Sequence, residues 1–202
     1  DGDFFFIDTD TVICTPLDNI DNLNVSNIAM VPELHGPFKE HIFYQLTAND
    51  TKRIFGTDVS DSPYWFNSGA MFVRDNDFTR AFFRKWNANW NHSAFNKNNS
   101  SDQRALLATD QYFGYKIECL PDVYNTQVAM SIEYFYDAKI LHFWHTRGNF
   151  NHDVDYSPYT NKEIYNKIRN DGRITDDTAE TISVKTISKM DGKQIVISHA
   201  SK

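Results

Sequence analysis

The chain has 202 residues, 41% of them hydrophobic and 15% aromatic, which is enough to bury a sizeable core and excludes a disordered chain. A formal charge of −7 excludes a general phosphate-backbone binder, because that needs a basic surface, though not a nucleotide held through a metal. No apolar run approaches the length of a membrane span, so no transmembrane segment is expected.

Phe4-Phe5-Phe6-Ile7 predicts a strand buried on both faces, as in the sheet of an α/β protein, and Asp8-Thr9-Asp10 follows where that strand ends. A strand end is the usual ligand position in an open α/β sheet, and two carboxylates there suit a hard divalent cation. The spacing alone is weak: it recurs at Asp1/Asp3, Asp75/Asp77 and Asp153/Asp155, and only the 8–10 copy has the buried-strand context. Cys14 and Cys119 both sit in apolar, strand-like surroundings and read as small buried hydrophobes rather than a disulfide.

Further along, Ile28-Ala29-Met30-Val31 reads as a second strand ended by Pro32, and a short helix is expected around residues 40–46. Asn67-Ser68-Gly69 reads as a turn delivering the strand Ala70-Met71-Phe72-Val73. Residues 75–91 give the strongest helix: Phe78, Phe82, Trp86 and Trp90 recur every four residues, and Asn76 or Asp77 can cap the start. That stripe is core rather than a sugar platform. Residues 92–101 read as an Asn/Ser-rich loop, followed by a helix from near Ser101 carrying Ala105, Leu106, Ala108 and Tyr112.

Strands are expected at Lys116–Leu120 and Lys139–Phe143, with His142 closing the second. Thr160 and Glu163 form a capping-box signature before another short helix. Thr181–Ser188 and Lys193–Ser198, joined across Asp191-Gly192, predict a β-hairpin. The composition shift near Asp176-Asp177 divides a principal domain, 1–175, from an appended segment, 176–202.

Each junction feature has a bland reading taken singly. Asn-Ser-Gly is a common turn, Asp102-Gln103 places a favourable charge at a helix N-terminus, and a strand-closing histidine is more often a core residue than a ligand. In combination and order they are specific. Phe6-Ile7-Asp8-Thr9-Asp10, Trp65-Phe66-Asn67-Ser68-Gly69, Asp102-Gln103 and Ile140-Leu141-His142-Phe143 resemble the nucleotide-sugar glycosyltransferases of the GT-A fold, in particular the glycogenin and lipopolysaccharide galactosyltransferase-like family. Leu120-Pro121 with Tyr124-Asn125 looks like that family's Leu-Pro-x-x-Trp-Asn segment.

This resemblance implies an α/β fold with a mixed sheet flanked by helices, whose nucleotide-binding part is expected to lie N-terminal to these residues. It implies that Asp8, Asp10 and His142 bind Mn²⁺ or Mg²⁺, which grips the diphosphate of a UDP-sugar. Asn67, Ser68 and Gly69 would contact the donor sugar, and Asp102 and Gln103 would stand near its anomeric carbon. The family's Gly after the histidine and its downstream Lys-Pro-Trp are missing here; Arg147 and Gly148 are the candidates to touch the diphosphate instead. The acceptor would be a carbohydrate, a lipid-linked glycan or a protein, with no nucleic-acid partner.

Two alternatives stay open. Asp8-Thr9-Asp10 after an apolar strand also resembles motif I of haloacid-dehalogenase-type phosphatases, with Asp8 as nucleophile and Asp10 as general acid/base, although the later motifs fail. The other alternative is a non-catalytic binding module on a GT-A-like fold.

Overall fold

The structure is a computed structural model that describes residues 2–127, 134, 136–142, 166–167, 170–171, 173, 175, 186–190 and 193–197. In chain order its main elements are β1 (Phe4–Ile7), β2 (Thr11–Ile13), β3 (Ile28–Pro32), α1 (Tyr44–Phe55), β4 (Phe66–Val73) and α2 (Asp77–Asn91). They continue with α3 (Asp102–Tyr112), β5 (Ile117–Cys119), β6 (Thr126–Gln127), β7 (Ile140–His142), β8 (Thr186–Met190) and β9 (Lys193–Ile197). The architecture is mixed α/β, with mixed sheets and flanking helices. Two compact units divide it: Asp1–Ile7 with Leu23–Pro121, and Asp8–Asn22 with Asp122–Lys202.

The first unit is built on a four-stranded sheet of order β1-β4-β3-β5, antiparallel at the first two pairings and parallel at the third. All of β3 is buried, as a continuous apolar run with a neighbour on each side should be. Ile28 and Met30 of β3 join Phe66, Met71 and Val73 of β4, Phe82 and Trp86 of α2, and Ala105 and Leu106 of α3 in one core cluster. The aromatic stripe of α2 is thus core, as its spacing predicts. Its start is fixed by a capping box: Asn76 Oδ1 accepts from the Thr79 backbone N–H, and Thr79 Oγ1 accepts from the Asn76 backbone N–H.

Several expectations need correction. β1 is not buried on both faces: among the described residues it pairs with β4 alone, at the sheet edge, and Phe4 and Phe6 are 47% and 40% exposed. An apolar run specifies a strand but not how many neighbours it will have. Asn67-Ser68-Gly69 is not a turn but part of the continuous strand β4. Met30 pairs with Met71 and Val31 with Asn67, so Ser68, Gly69 and Ala70 face no partner on β3 and form a bulge.

The helix near residues 40–46 is longer than expected and lies at Tyr44–Phe55. Its buried positions are Thr47, Thr51 and Ile54, so threonines hide the helical period from a hydrophobicity reading. Gly56, at φ 68, closes it by donating its N–H to Lys52 O, in the left-handed conformation that glycine adopts without steric cost. Within the expected loop after α2, His92–Asn96 instead forms a π-helical turn. Cys14 is buried, which pushes its thiol up to about 12, whereas Cys119 is exposed because it closes the short strand β5 at the other sheet edge.

In the second unit β7 is central, antiparallel to β2 and parallel to β6. The β-branched residues Thr11, Val12 and Ile13 favour the extended backbone. Cys14 N–H and Lys139 N–H extend the ladder by donating to Lys139 O and Val123 O. The hairpin is present, β8 pairing with β9 from Thr186↔Ile197 to Met190↔Lys193. The capping box at Thr160 and Glu163 and the boundary near Asp176 lie outside the described residues. Among the described residues no helix is long and apolar enough to cross a membrane.

Candidate functional site

The register of the second unit determines its chemistry. Thr11 pairs with His142, so the residues just before β2 arrive beside the histidine that ends β7. Thr11 Oγ1 donates to Asp8 O at 2.6 Å and pins the 8–10 turn. As a result Asp8, Asp10 and His142 each bring one ligand atom to a common point, all within 4.8 Å of one another. His142 is 2% exposed, and its Nε2 lies 3.2 Å from Asp10 Oδ1 and 3.9 Å from Asp8 Oδ2. Ligands in adjacent positions on an ion with bonds of about 2.1 Å stand roughly 3 Å apart, a spacing that His142 and Asp10 have and that Asp8, at 3.9 Å, would reach with a small side-chain movement.

The other face of the ring adds a second constraint. His142 Nδ1 is 2.9 Å from Asn125 Oδ1, an acceptor, which places a ring proton on Nδ1; in the neutral ring Nε2 then carries the lone pair. Nε2 is buried without an aligned hydrogen bond, the short approach of Asp10 being badly oriented. A lone pair facing two carboxylates is repulsive unless a positive charge lies between them, whether a metal ion or a second ring proton. Interaction with His142 lowers the Asp10 carboxyl below its usual range, against partial desolvation. Among the described residues, the other acidic pairs of the same spacing have cation partners elsewhere: Asp3 with Arg74, and Asp75 with Arg80.

The first unit gathers the remaining predicted residues around a group the sequence reading missed. Glu33 follows β3 directly and is 2% exposed. Its Oε2 accepts from Asn67 Nδ2 and from Gln103 Nε2, each at 2.9 Å. Asn67 Oδ1 accepts from the Gly69 N–H at 2.9 Å, which shapes the β4 bulge. Ser68 Oγ donates to Asp102 Oδ2 at 2.9 Å, tying the bulge to the first turn of α3. Burial pushes the Glu33 carboxyl up to about 7; the Asn67 and Gln103 hydrogen bonds oppose this and the charge of Asp102 adds to it.

The structure therefore brings Asp8, Asp10 and His142 together in one unit, and Asn67, Ser68, Gly69, Asp102 and Gln103 together in the other. Arg147 and Gly148 lie outside the described residues. Two residues went unassigned in the sequence. Glu33 follows a proline at a strand end, and no motif marks it. Asn125 belongs to the Leu-Pro…Tyr-Asn segment, and its place under His142 becomes visible only when β6 and β7 pair.

No protein-family model matches the sequence, and no curated protein matches it. Among solved structures, the glycosyltransferase GlyE of Streptococcus pneumoniae TIGR4 is similar at 13% identity over 90% of this chain and 42% of that one, with a TM-score of 0.44. Its apo form is similar at 13% identity over 90% and 41%, with a TM-score of 0.43. The galactosyltransferase LgtC, solved in complex with donor and acceptor sugar analogues, is similar at 14% identity over 89% and 65%, with a TM-score of 0.48. The chain thus spans between 41% and 65% of the length of these proteins.

Proposed function

We propose that this chain serves metal-dependent glycosyl transfer from a nucleoside-diphosphate sugar, a UDP-sugar by the family resemblance, within a GT-A-like fold. Asp8, Asp10 and His142 would hold Mn²⁺ or Mg²⁺, and a set of two carboxylates and one imidazole suits Mn²⁺ somewhat better. When bound, the ion supplies Lewis-acid neutralisation of the charge that develops on the leaving diphosphate. Asn125 would hold the His142 tautomer that leaves Nε2 free to ligate. Arg147 and Gly148 are proposed as further diphosphate contacts.

Gln103 and Asp102 are the proposed reacting-face residues, with Asn67, Ser68 and Gly69 in support. We read the reaction as retaining, with Gln103 beside the anomeric carbon; in an inverting reaction the Asp102 carboxylate would be the base for the acceptor hydroxyl. A carbohydrate, lipid-linked glycan or protein would supply that hydroxyl.

The single observation carrying this reading is the buried His142 Nε2 set close to two carboxylates with no hydrogen-bond partner. The test is release of UDP from UDP-sugars with and without Mn²⁺. Release that requires Mn²⁺ and stops on chelation is the expected result. Cleavage of generic phosphomonoesters with phosphate trapped on Asp8 would replace this reading with the phosphatase one. Binding of UDP-sugar without turnover would leave a binding module.

A further inference from the structure

Glu33 is unusual in three respects. It carries a carboxyl into a site where almost none of it meets solvent. Its Oε2 is shared by two amide side chains from different elements, Asn67 on β4 and Gln103 on α3. The two residues after it, Leu34 and His35, have φ values of 56° and 58°, a left-handed conformation that non-glycine residues rarely adopt. The chain thus leaves β3 through a strained turn, and the Glu33 N–H donates to Trp65 O as it does so.

The two amides are held differently. Asn67 is engaged at both ends, its Nδ2 on Glu33 and its Oδ1 on the Gly69 N–H. Gln103 is held through Nε2, which fixes the sense of the amide and turns Oε1 away from Glu33. We infer that Glu33 is a positioning residue, which orients Gln103 so that its carbonyl oxygen rather than its amino group meets a ligand, with Asn67 as the bracket that holds Glu33. The inference rests on the reading that the first turn of α3 meets the donor sugar.

The chemistry of the two ends makes the orientation matter. A presented Oε1 accepts from a sugar hydroxyl and faces an electron-poor carbon with a lone pair, whereas a flipped amide would present N–H donors and repel the same carbon. Ionised Glu33 excludes the flipped state, because that would set Oε1 against a carboxylate oxygen. A neutral glutamine at position 33 could accept through its carbonyl or donate through its amine, and so could not enforce one sense. The burial that raises the Glu33 carboxyl to about 7 is the cost of that selectivity.

The test is the side-chain amide ¹⁵N–¹H spectrum of the full chain across pH 5 to 9, in wild type and Glu33→Gln. The inference expects the Gln103 and Asn67 amide pairs to titrate together in the wild type, and that titration to disappear from Gln103 in Glu33→Gln while the backbone spectrum is kept. A Gln103 signal that is the same in both proteins at every pH overturns it. Should Glu33→Gln not fold, Gln103→Met gives the mirror measurement. The Glu33 ¹³Cδ midpoint should then rise on loss of a donor, and an unchanged midpoint overturns the inference.

UDP release separates the two levels of the argument. With Mn²⁺-dependent release in the wild type, Glu33→Gln should lower kcat about tenfold or more while KM for the donor stays within about twofold. Equal kcat in both proteins overturns the positioning role. If Gln103 titrates with Glu33 as expected but the wild type releases no UDP, the glycosyl-transfer reading fails and the orientation of Gln103 stands.

Discussion

The two clusters use similar residues, carboxylates beside nitrogen side chains, in opposite ways. Around Glu33 every carboxylate oxygen described above meets a hydrogen-bond donor: two amides on Glu33 and a hydroxyl on Asp102. Around His142 a buried ring nitrogen faces two carboxylates, while the other ring nitrogen meets Asn125 on the far side. In the first arrangement the protein itself supplies donors to these carboxylate oxygens. The second calls for positive charge between its groups, as a bound cation would supply.

That contrast can be broken at its charged end first. Asp10→Asn removes an anionic ligand but keeps the shape, and should weaken Mn²⁺ binding, measured by titration calorimetry, on the order of a hundredfold or more, the upper end of what even an outer partner contributes. The fold should be retained, since Asp10 has a half-exposed side chain. Unchanged Mn²⁺ affinity would assign the cluster to a protonated His142 instead.

Of comparable size is a difference in the sign of the pH response. Glu33 titrates near 7 in the folded chain against an ordinary 4.5, so the folded state binds that proton more tightly. Its contribution is fully present below about 4.5 and is lost as pH rises through about 7, an effect of roughly 3 kcal/mol. The stability difference between wild type and Glu33→Gln in urea should therefore fall across that window. Asp110, which burial also raises, to about 6, is common to both proteins and cancels. Mn²⁺ affinity should move the other way and weaken as pH falls, because protons compete for the ligand atoms. Parallel pH responses would show the two clusters to be of one kind.

The smallest of the three effects concerns Asn125. Asn125→Ala removes the acceptor that holds the buried His142 ring, and should cost roughly tenfold in Mn²⁺ affinity. A loss as large as that of Asp10→Asn would mean that Asn125 does more than orient the ring.

Much of the local structure was legible in the residues themselves. The α2 stripe, its Asn76 cap, the β3 strand and the 186–197 hairpin all follow from periodicity and turn chemistry, which act over a few neighbours. The α1 helix was partly hidden, because Thr47 and Thr51 occupy core positions without looking apolar. Asn67-Ser68-Gly69 looks like a turn in sequence for the reason that makes it a bulge: small polar residues loosen a strand, and only the partner strand decides whether the chain turns or merely buckles.

What the sequence determined by itself is the identity of the candidate groups and their local setting: Asp8 and Asp10 at a strand end, His142 closing another, Asp102-Gln103 opening a helix. Tertiary structure alone decided which of them meet. The β2–β7 register brings His142 to the aspartates, and the chain's exit from β3 puts Glu33 beneath two amides far away in sequence. The physical reason is range. Propensity and patterning act within a few residues, whereas a ligand site or a buried carboxyl exists only where strand pairing brings distant side chains within hydrogen-bonding distance.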